Sequence, residues 1–231
     1  EYLETTLTDI DFNILLKEYE FDWIEFTDFY HCRYGLLPKQ LRETVLEYFR
    51  RKTELKGVEG QDLYYMKAKN KLNSVYGMSV QSPVKQSIDF IDDFIDRTDD
   101  EEELLATANR KAFQSYAWGV WTTAHAGAEL EEAIEMCGNR FVYCDTDSVK
   151  YIGEIDFASF NARKQRRSQD SGAVATDPKG VKHYLGVMEH DADYSEFITM
   201  GAKKYAYRYT DGKLGITIAG VNKKKGAEEL E

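Results

Sequence analysis

Eleven consecutive residues constrain this chain more than any other stretch: Phe141-Val142-Tyr143-Cys144-Asp145-Thr146-Asp147-Ser148-Val149-Lys150-Tyr151. Two apolar and aromatic arms flank a short polar turn, the pattern of a β-hairpin. In an extended backbone residues i and i+2 point the same way. Asp145 and Asp147 would then both stand at the hairpin tip and face one cation, for which hard, oxygen-seeking Mg²⁺ is the natural occupant. The same letters also make a good turn with no ligand, since Asp and Ser bond their own backbone. A calcium loop of the EF-hand type fits poorly. Lys150 occupies the sixth position, where such a loop needs Gly, and Val149 and Tyr151 continue a strand.

Upstream, a helical pair is expected. Gly35 and Pro38 punctuate the chain before a run over 39–56 in which Leu41, Val45, Leu46 and Phe49 form an apolar stripe. Gly57 to Gly60 break it, and a second helix starts at Asp62 and ends by Gly77. A short Gly-containing turn between two helices makes an antiparallel αα-hairpin. On the second helix Tyr65, Ala68, Leu72 and Val75 form one apolar stripe. Lys69, Asn73 and Tyr76 lie at i, i+4 and i+7 on an adjoining face. A cation, an amide and a ring presented together suit a nucleoside triphosphate, although a solvated face with a snorkelling lysine gives the same spacing.

Loose alternation over 3–30 predicts two strands, around Thr6–Phe12 and Trp23–Phe26, flanking a short helix over 13–19. An Ala-rich run from Leu104 to Met136 predicts a long helix, broken near Gly127, that backs a sheet. Residues 156–183 read as loop, with Arg163, Lys164, Arg166 and Arg167 solvated or touching a nucleic-acid backbone. Alternation over 202–209 predicts a strand with Lys203, Tyr205, Tyr207 and Tyr209 on one face. That face would serve either as a nucleic-acid grip, with lysine for phosphate and rings for stacking, or as an ordinary amphipathic edge.

Charge and cysteines narrow the classes. The net charge of −11 argues against whole-surface phosphate binding. The acidity is concentrated, however, in Asp89, Asp92, Asp93, Asp96, Asp99, Asp100, Glu101, Glu102 and Glu103. Cys32, Cys137 and Cys144 are scattered without CxxC spacing and read as reduced thiols in a cytosol-like compartment. The chain shows no apolar run long enough for a bilayer and no basic n-region at Glu1-Tyr2-Leu3-Glu4, so neither a membrane span nor a signal peptide is expected.

Tyr143-Cys144-Asp145-Thr146-Asp147-Ser148 resembles the third palm motif of family B DNA polymerases. Lys69-x-x-x-Asn73-Ser74-x-Tyr76-Gly77 resembles the family's second motif, on the fingers helix, and it lies upstream as the family requires. Lys203-x-Tyr205 resembles the Lys-x-Tyr primer grip. Asp177-Pro178, Leu185-Gly186, Glu189 and the Gly215–Val221 stretch are also family-like, closest to protein-primed phage and linear-plasmid enzymes.

The resemblance implies an α+β fold: an antiparallel palm sheet backed by helices, with an antiparallel two-helix fingers hairpin. Its parts would be palm over 1–36, fingers over 37–80, an acidic insertion over 81–104, palm with the metal hairpin over 105–200, and primer-grip strand with the start of a thumb over 201–231. The insertion would help encircle downstream DNA or serve as a solvated acidic linker.

The implied reaction is attack by a primer 3′-hydroxyl on the α-phosphate of a dNTP, assisted by two Mg²⁺ ions about 3.5–4 Å apart. Asp147 matches the principal metal ligand and Asp145 the accompanying carboxylate. Lys69, Asn73, Ser74, Tyr76 and Gly77 match nucleotide-binding positions, and Lys203 and Tyr205 match primer-binding ones. The implied partners are a DNA primer–template, dNTP, a terminal priming protein and an N-terminal polymerase half, in the cytoplasm of a bacterium carrying a phage, prophage or plasmid.

The first palm motif, Asp-x-x-Ser-Leu-Tyr-Pro, is absent. Tyr34-Gly35-Leu36-Leu37-Pro38 is its nearest decoy, with Cys32 where the aspartate should be. A palm-plus-fingers piece with little activity alone is therefore expected, with one metal ligand supplied by another segment. A non-catalytic nucleic-acid-binding or assembly module that kept the fold is the alternative. Reverse transcriptases fit less well, because their paired aspartates are adjacent and Thr146 separates these.

Overall fold

The structure, a computed structural model, describes residues 3–81, 87–91, 93–97, 102, 105–106 and 115–230, with backbone alone over 87–97. Helices and small antiparallel sheets mix in an α+β arrangement. The chain divides into two compact units, one of residues 1–128 with 164–186, the other of 129–163 with 187–231.

In the first unit, α1 (Asp9–Glu18) begins at Thr8, whose side chain accepts from the Asp11 N–H while the Asp11 carboxylate accepts from the Thr8 N–H. That reciprocal cap favours helix over the strand expected around Thr6–Phe12. The strand expected at Trp23–Phe26 is also absent. Those residues find no ladder partner, and Phe26 packs on Phe12 and Phe29 instead, with ring centroids 5.5 and 5.4 Å away.

The expected helical hairpin is present as α2 (Lys39–Leu55), which follows Pro38 with no side-chain cap, and α3 (Asp62–Ser79). Gly57 and Gly60 take φ of 74° and 73° in the connection, a backbone region open to glycine at little cost. Phe49 and Thr53 of α2 and Ala68 of α3 are buried. Lys71 Nζ reaches Tyr48 Oη at 3.1 Å. Helix α3 continues through Gly77 rather than ending there.

Half of the acidic insertion expected over 81–104 lies outside the described residues. Within it, β1 (Ser87–Ile91) and β2 (Asp93–Arg97) pair antiparallel. The first part of the long helix expected from Leu104 is likewise outside them. Its remainder, α4 (Tyr116–Cys137), runs unbroken through Gly127, because one glycine costs only about 1 kcal/mol in an otherwise Ala-rich helix. Gly119 lets the start of α4 meet the end of α3, since a Cβ there would overlap Val80.

The loop expected over 156–183 is instead α5 (Ala158–Ser171), then β5 (Val174–Thr176) paired with β6 (Lys182–Tyr184). Asp156 starts the helix by accepting from the Ala158 N–H at 2.8 Å. Its buried positions are Phe160, Lys164 and Ser168, spaced i, i+4 and i+8. Two of the three are polar, so the helical stripe is invisible to hydropathy. The basic residues read as loop lie on this helix, where Arg163 pairs with Glu132.

In the second unit, β3 (Phe141–Asp145) and β4 (Ser148–Tyr151) form the expected hairpin. A three-stranded sheet follows, β7 (Tyr194–Thr199), β8 (Lys204–Tyr209) and β9 (Leu214–Ile218), in that order. An antiparallel palm sheet was expected. Among the described residues the strands form separate small sheets, with β3–β4 not hydrogen-bonded into β7–β9. Helix α6 (Lys223–Glu228) is capped by Asn222 and packs on β9, where Gly226 lies close against Ile216 and Val221. Among the described residues no helix is long and apolar enough to cross a membrane.

Candidate metal and nucleic-acid site

The two-residue loop Thr146-Asp147 closes the hairpin, with Asp145 and Ser148 as the last paired residues. The Asp147 N–H donates to the Asp145 carbonyl at 2.7 Å, and Thr146 takes φ of 58°. The backbone is therefore not extended at the tip, and the i, i+2 rule that put both carboxylates on one side does not apply there. Their environments differ. The Asp145 side chain is 17% exposed, and its Oδ1 accepts from Lys203 Nζ at 2.6 Å and from Thr146 Oγ1 at 2.9 Å. The Asp147 side chain is exposed, with no side-chain hydrogen bond or ion pair among the described residues.

Lys203 was expected on the β8 face beside the tyrosines. It lies one residue before that strand instead, at φ of 55°. Its N–H donates to Tyr143 Oη at 3.0 Å, and its carbonyl accepts from the Ala219 N–H at 3.1 Å. The hydrogen bond from Lys203, with help from Thr146, holds the Asp145 carboxyl below the usual range, against the opposing effect of burial. The same bond raises Lys203. Both groups are thus charged across the neutral range.

Tyr205, Tyr207 and Tyr209 do share a face of β8. Tyr143 packs on Tyr205 and Phe197 with centroids 5.0 and 5.8 Å away, and Tyr194 packs on Tyr207 at 4.6 Å. Lys150 Nζ lies 5.7 Å from the Tyr194 ring centre. All these rings are half-buried. Burial, with smaller contributions from Glu131 and Asp145, pushes the Cys144 thiol up, so it is no thiolate nucleophile at neutral pH.

In the other unit, Lys69, Asn73 and Tyr76 are exposed on α3, on a face adjoining buried Ala68 and Ser79. Ser74 donates its hydroxyl to the Asn70 carbonyl at 2.7 Å, and Gly77 has open space around it.

The fit of Mg²⁺ follows from the donor set. Mg²⁺ is commonly bound by one or two carboxylates together with waters and substrate phosphates. The hairpin offers the free Asp147 carboxylate and the second oxygen of Asp145. Among the described residues no third Asp, Glu, His or Cys joins them in a ligand cluster. Those two carboxylate oxygens are the donors the hairpin itself offers.

Tyr143 and Thr146 were not singled out as site residues by the sequence. Tyr143 sits in the hairpin motif, but its hydroxyl role depends on a partner 60 residues away. Thr146 carries no signal beyond its place between two acids. No protein-family model, curated protein or solved structure matches this chain.

Proposed function

We propose that this chain carries the palm and fingers of a DNA-directed DNA polymerase of family B, protein-primed type, which joins dNTP to a primer 3′-hydroxyl and releases pyrophosphate. One observation carries the reading. The metal motif around Asp145 and the primer-grip motif at Lys203 are recognised separately in the sequence, yet they meet through an ion pair and a backbone hydrogen bond between residues about 60 positions apart. A chance turn and a chance edge strand have no reason to interlock at the two residues each motif names.

Asp147 and Asp145 would hold Mg²⁺. Such an ion would supply charge stabilisation for the transferred phosphoryl group and would lower the pKa of the attacking hydroxyl. Thr146 holds the orientation of Asp145 through its hydroxyl. The Tyr143 hydroxyl holds the Lys203 backbone N–H, and the ammonium reaches the hairpin tip while half in solvent, open to a phosphate. Tyr205 adds a ring for sugar or base packing. Lys69, Asn73 and Tyr76 present a cation, an amide and a ring to solvent on α3, the set expected to bind triphosphate and base.

Titration of a fluorescent dNTP in Mg²⁺ tests this. The reading predicts binding that chelator abolishes and that Asp147→Ala weakens by about tenfold. Salt-sensitive DNA binding indifferent to Asp147→Ala, with no Mg²⁺-dependent dNTP binding, would instead assign a non-catalytic nucleic-acid module.

A further inference from the structure

The contact between Lys203 and Asp145 is held from several sides. Lys203 and Thr146 are the two non-glycine residues with positive φ among the described residues, at 55° and 58°. Such conformations cost free energy and persist where surrounding structure imposes them. Here they flank one carboxylate. Two backbone hydrogen bonds, to Tyr143 Oη and from Ala219 N–H, pin Lys203. The Thr146 hydroxyl donates to the same Asp145 oxygen that the ammonium approaches at 2.6 Å. Asp147, two residues along, stays exposed.

The Lys203 side chain is itself 53% exposed. A lysine head is a compact charge on a flexible stem, so it can leave the carboxylate without moving its pinned backbone.

We propose that the Lys203 ammonium and a divalent cation are alternative occupants of the Asp145 carboxylate. This rests on the reading of Asp145 and Asp147 as metal ligands. Without the ion, Lys203 neutralises Asp145 and keeps it oriented. When a dication binds Asp145 and Asp147, repulsion between the two cations expels the ammonium into solvent, where a nucleic-acid phosphate can take it. Linkage makes the effect reciprocal: whatever anion draws Lys203 away strengthens metal binding. The site would therefore load its ion more readily once a primer phosphate is in place.

The test is Mn²⁺ binding to the full chain, read as free Mn²⁺ by electron paramagnetic resonance, so that no catalysis is needed. Lys203→Asn removes the charge with a residue that tolerates the left-handed region. It should bind Mn²⁺ about fivefold more tightly than wild type, the factor expected for one partly exposed ion pair. Lys203→Arg, which keeps the charge, should restore wild-type affinity.

A second readout uses the unaltered chain. Acetylation of Lys203, followed by mass spectrometry, should speed up several-fold on adding Mn²⁺. Equal affinity in wild type and Lys203→Asn, or an acetylation rate indifferent to Mn²⁺, overturns the exchange while Asp147-dependent binding leaves the metal reading standing. Absence of any Mn²⁺ binding that Asp147→Ala removes overturns both.

Discussion

Gly215→Ala offers a direct check on how tightly the tyrosine face of the second unit is built. Gly215 stands opposite Tyr207 in the β8–β9 register. A Cβ at this position would overlap Tyr207 Cε2 and lie 2.6 Å from Cζ and 2.9 Å from Oη. The ring must move by several tenths of an ångström or more to reach ordinary contact. It is hemmed in by Tyr194, Tyr209 and Tyr205, with centroids 4.6, 5.2 and 6.1 Å away.

Forced overpacking of this kind costs about 1–3 kcal/mol. Loss of glycine freedom in the unfolded chain returns about 0.4–1 kcal/mol. The net expectation is destabilisation by roughly 1–2 kcal/mol, read as a lower urea midpoint in the near-ultraviolet dichroism of the tyrosine cluster. In a Tyr207→Ala background the same Gly215→Ala change meets no ring and should be neutral or slightly stabilising. The glycine contribution is common to both backgrounds, so the cycle would show the overpacking cost alone, a coupling of roughly 1–3 kcal/mol. Equal destabilisation with and without the Tyr207 ring would refute the packing account.

Three further outcomes follow from the geometry. Gly127→Ala, in the interior of α4 with open space at its Cβ position, should stabilise the chain by about 0.5–1 kcal/mol in thermal unfolding. The Asp177 carboxyl is held below the usual range, first by the Val181 N–H and then by His183 and the Lys179 N–H. Its stabilising effect is therefore present above the unfolded pKa and lost as pH falls through the lower folded one. The protection factor of the Val181 amide, its exchange rate relative to the intrinsic rate at the same pH, should fall on acidification, and should be low at all pH values in Asp177→Ala. Burial, helped by Asp191 and neighbouring tyrosines, pushes Tyr194 up to about 12. A raised pKa means stability that is full below the unfolded value near 10 and lost as pH rises towards 12, so alkaline unfolding should fall in that window and move upward in Tyr194→Phe.

The hairpin at Asp145 was legible because both its arms and its turn are local. The αα-hairpin was legible for the same reason: Pro38, Gly57 and Gly60 mark its ends, and Phe49 and Ala68 sit on clean 3.6-residue stripes. Helix α5 was not, since two of its buried positions are Lys164 and Ser168, and a periodicity search sees only apolar letters. At α1 the alternation suggested a strand, but the Thr8–Asp11 cap decides in favour of helix. The Lys203–Asp145 pair could not be read from spacing at all. It joins residues 58 positions apart and depends on a left-handed backbone at Lys203, which no lysine advertises.

Line broadening by Mn²⁺ in amide spectra of the full chain tests the central claim most directly, because a paramagnetic ion marks its own address. Substoichiometric Mn²⁺ should first erase the amides of Asp145, Thr146, Asp147 and Lys203, and Asp147→Ala should spare them. If the first losses instead fall within the acidic residues 89–103 while the hairpin amides stay sharp, the hairpin is not the metal site and the polymerase reading fails with it.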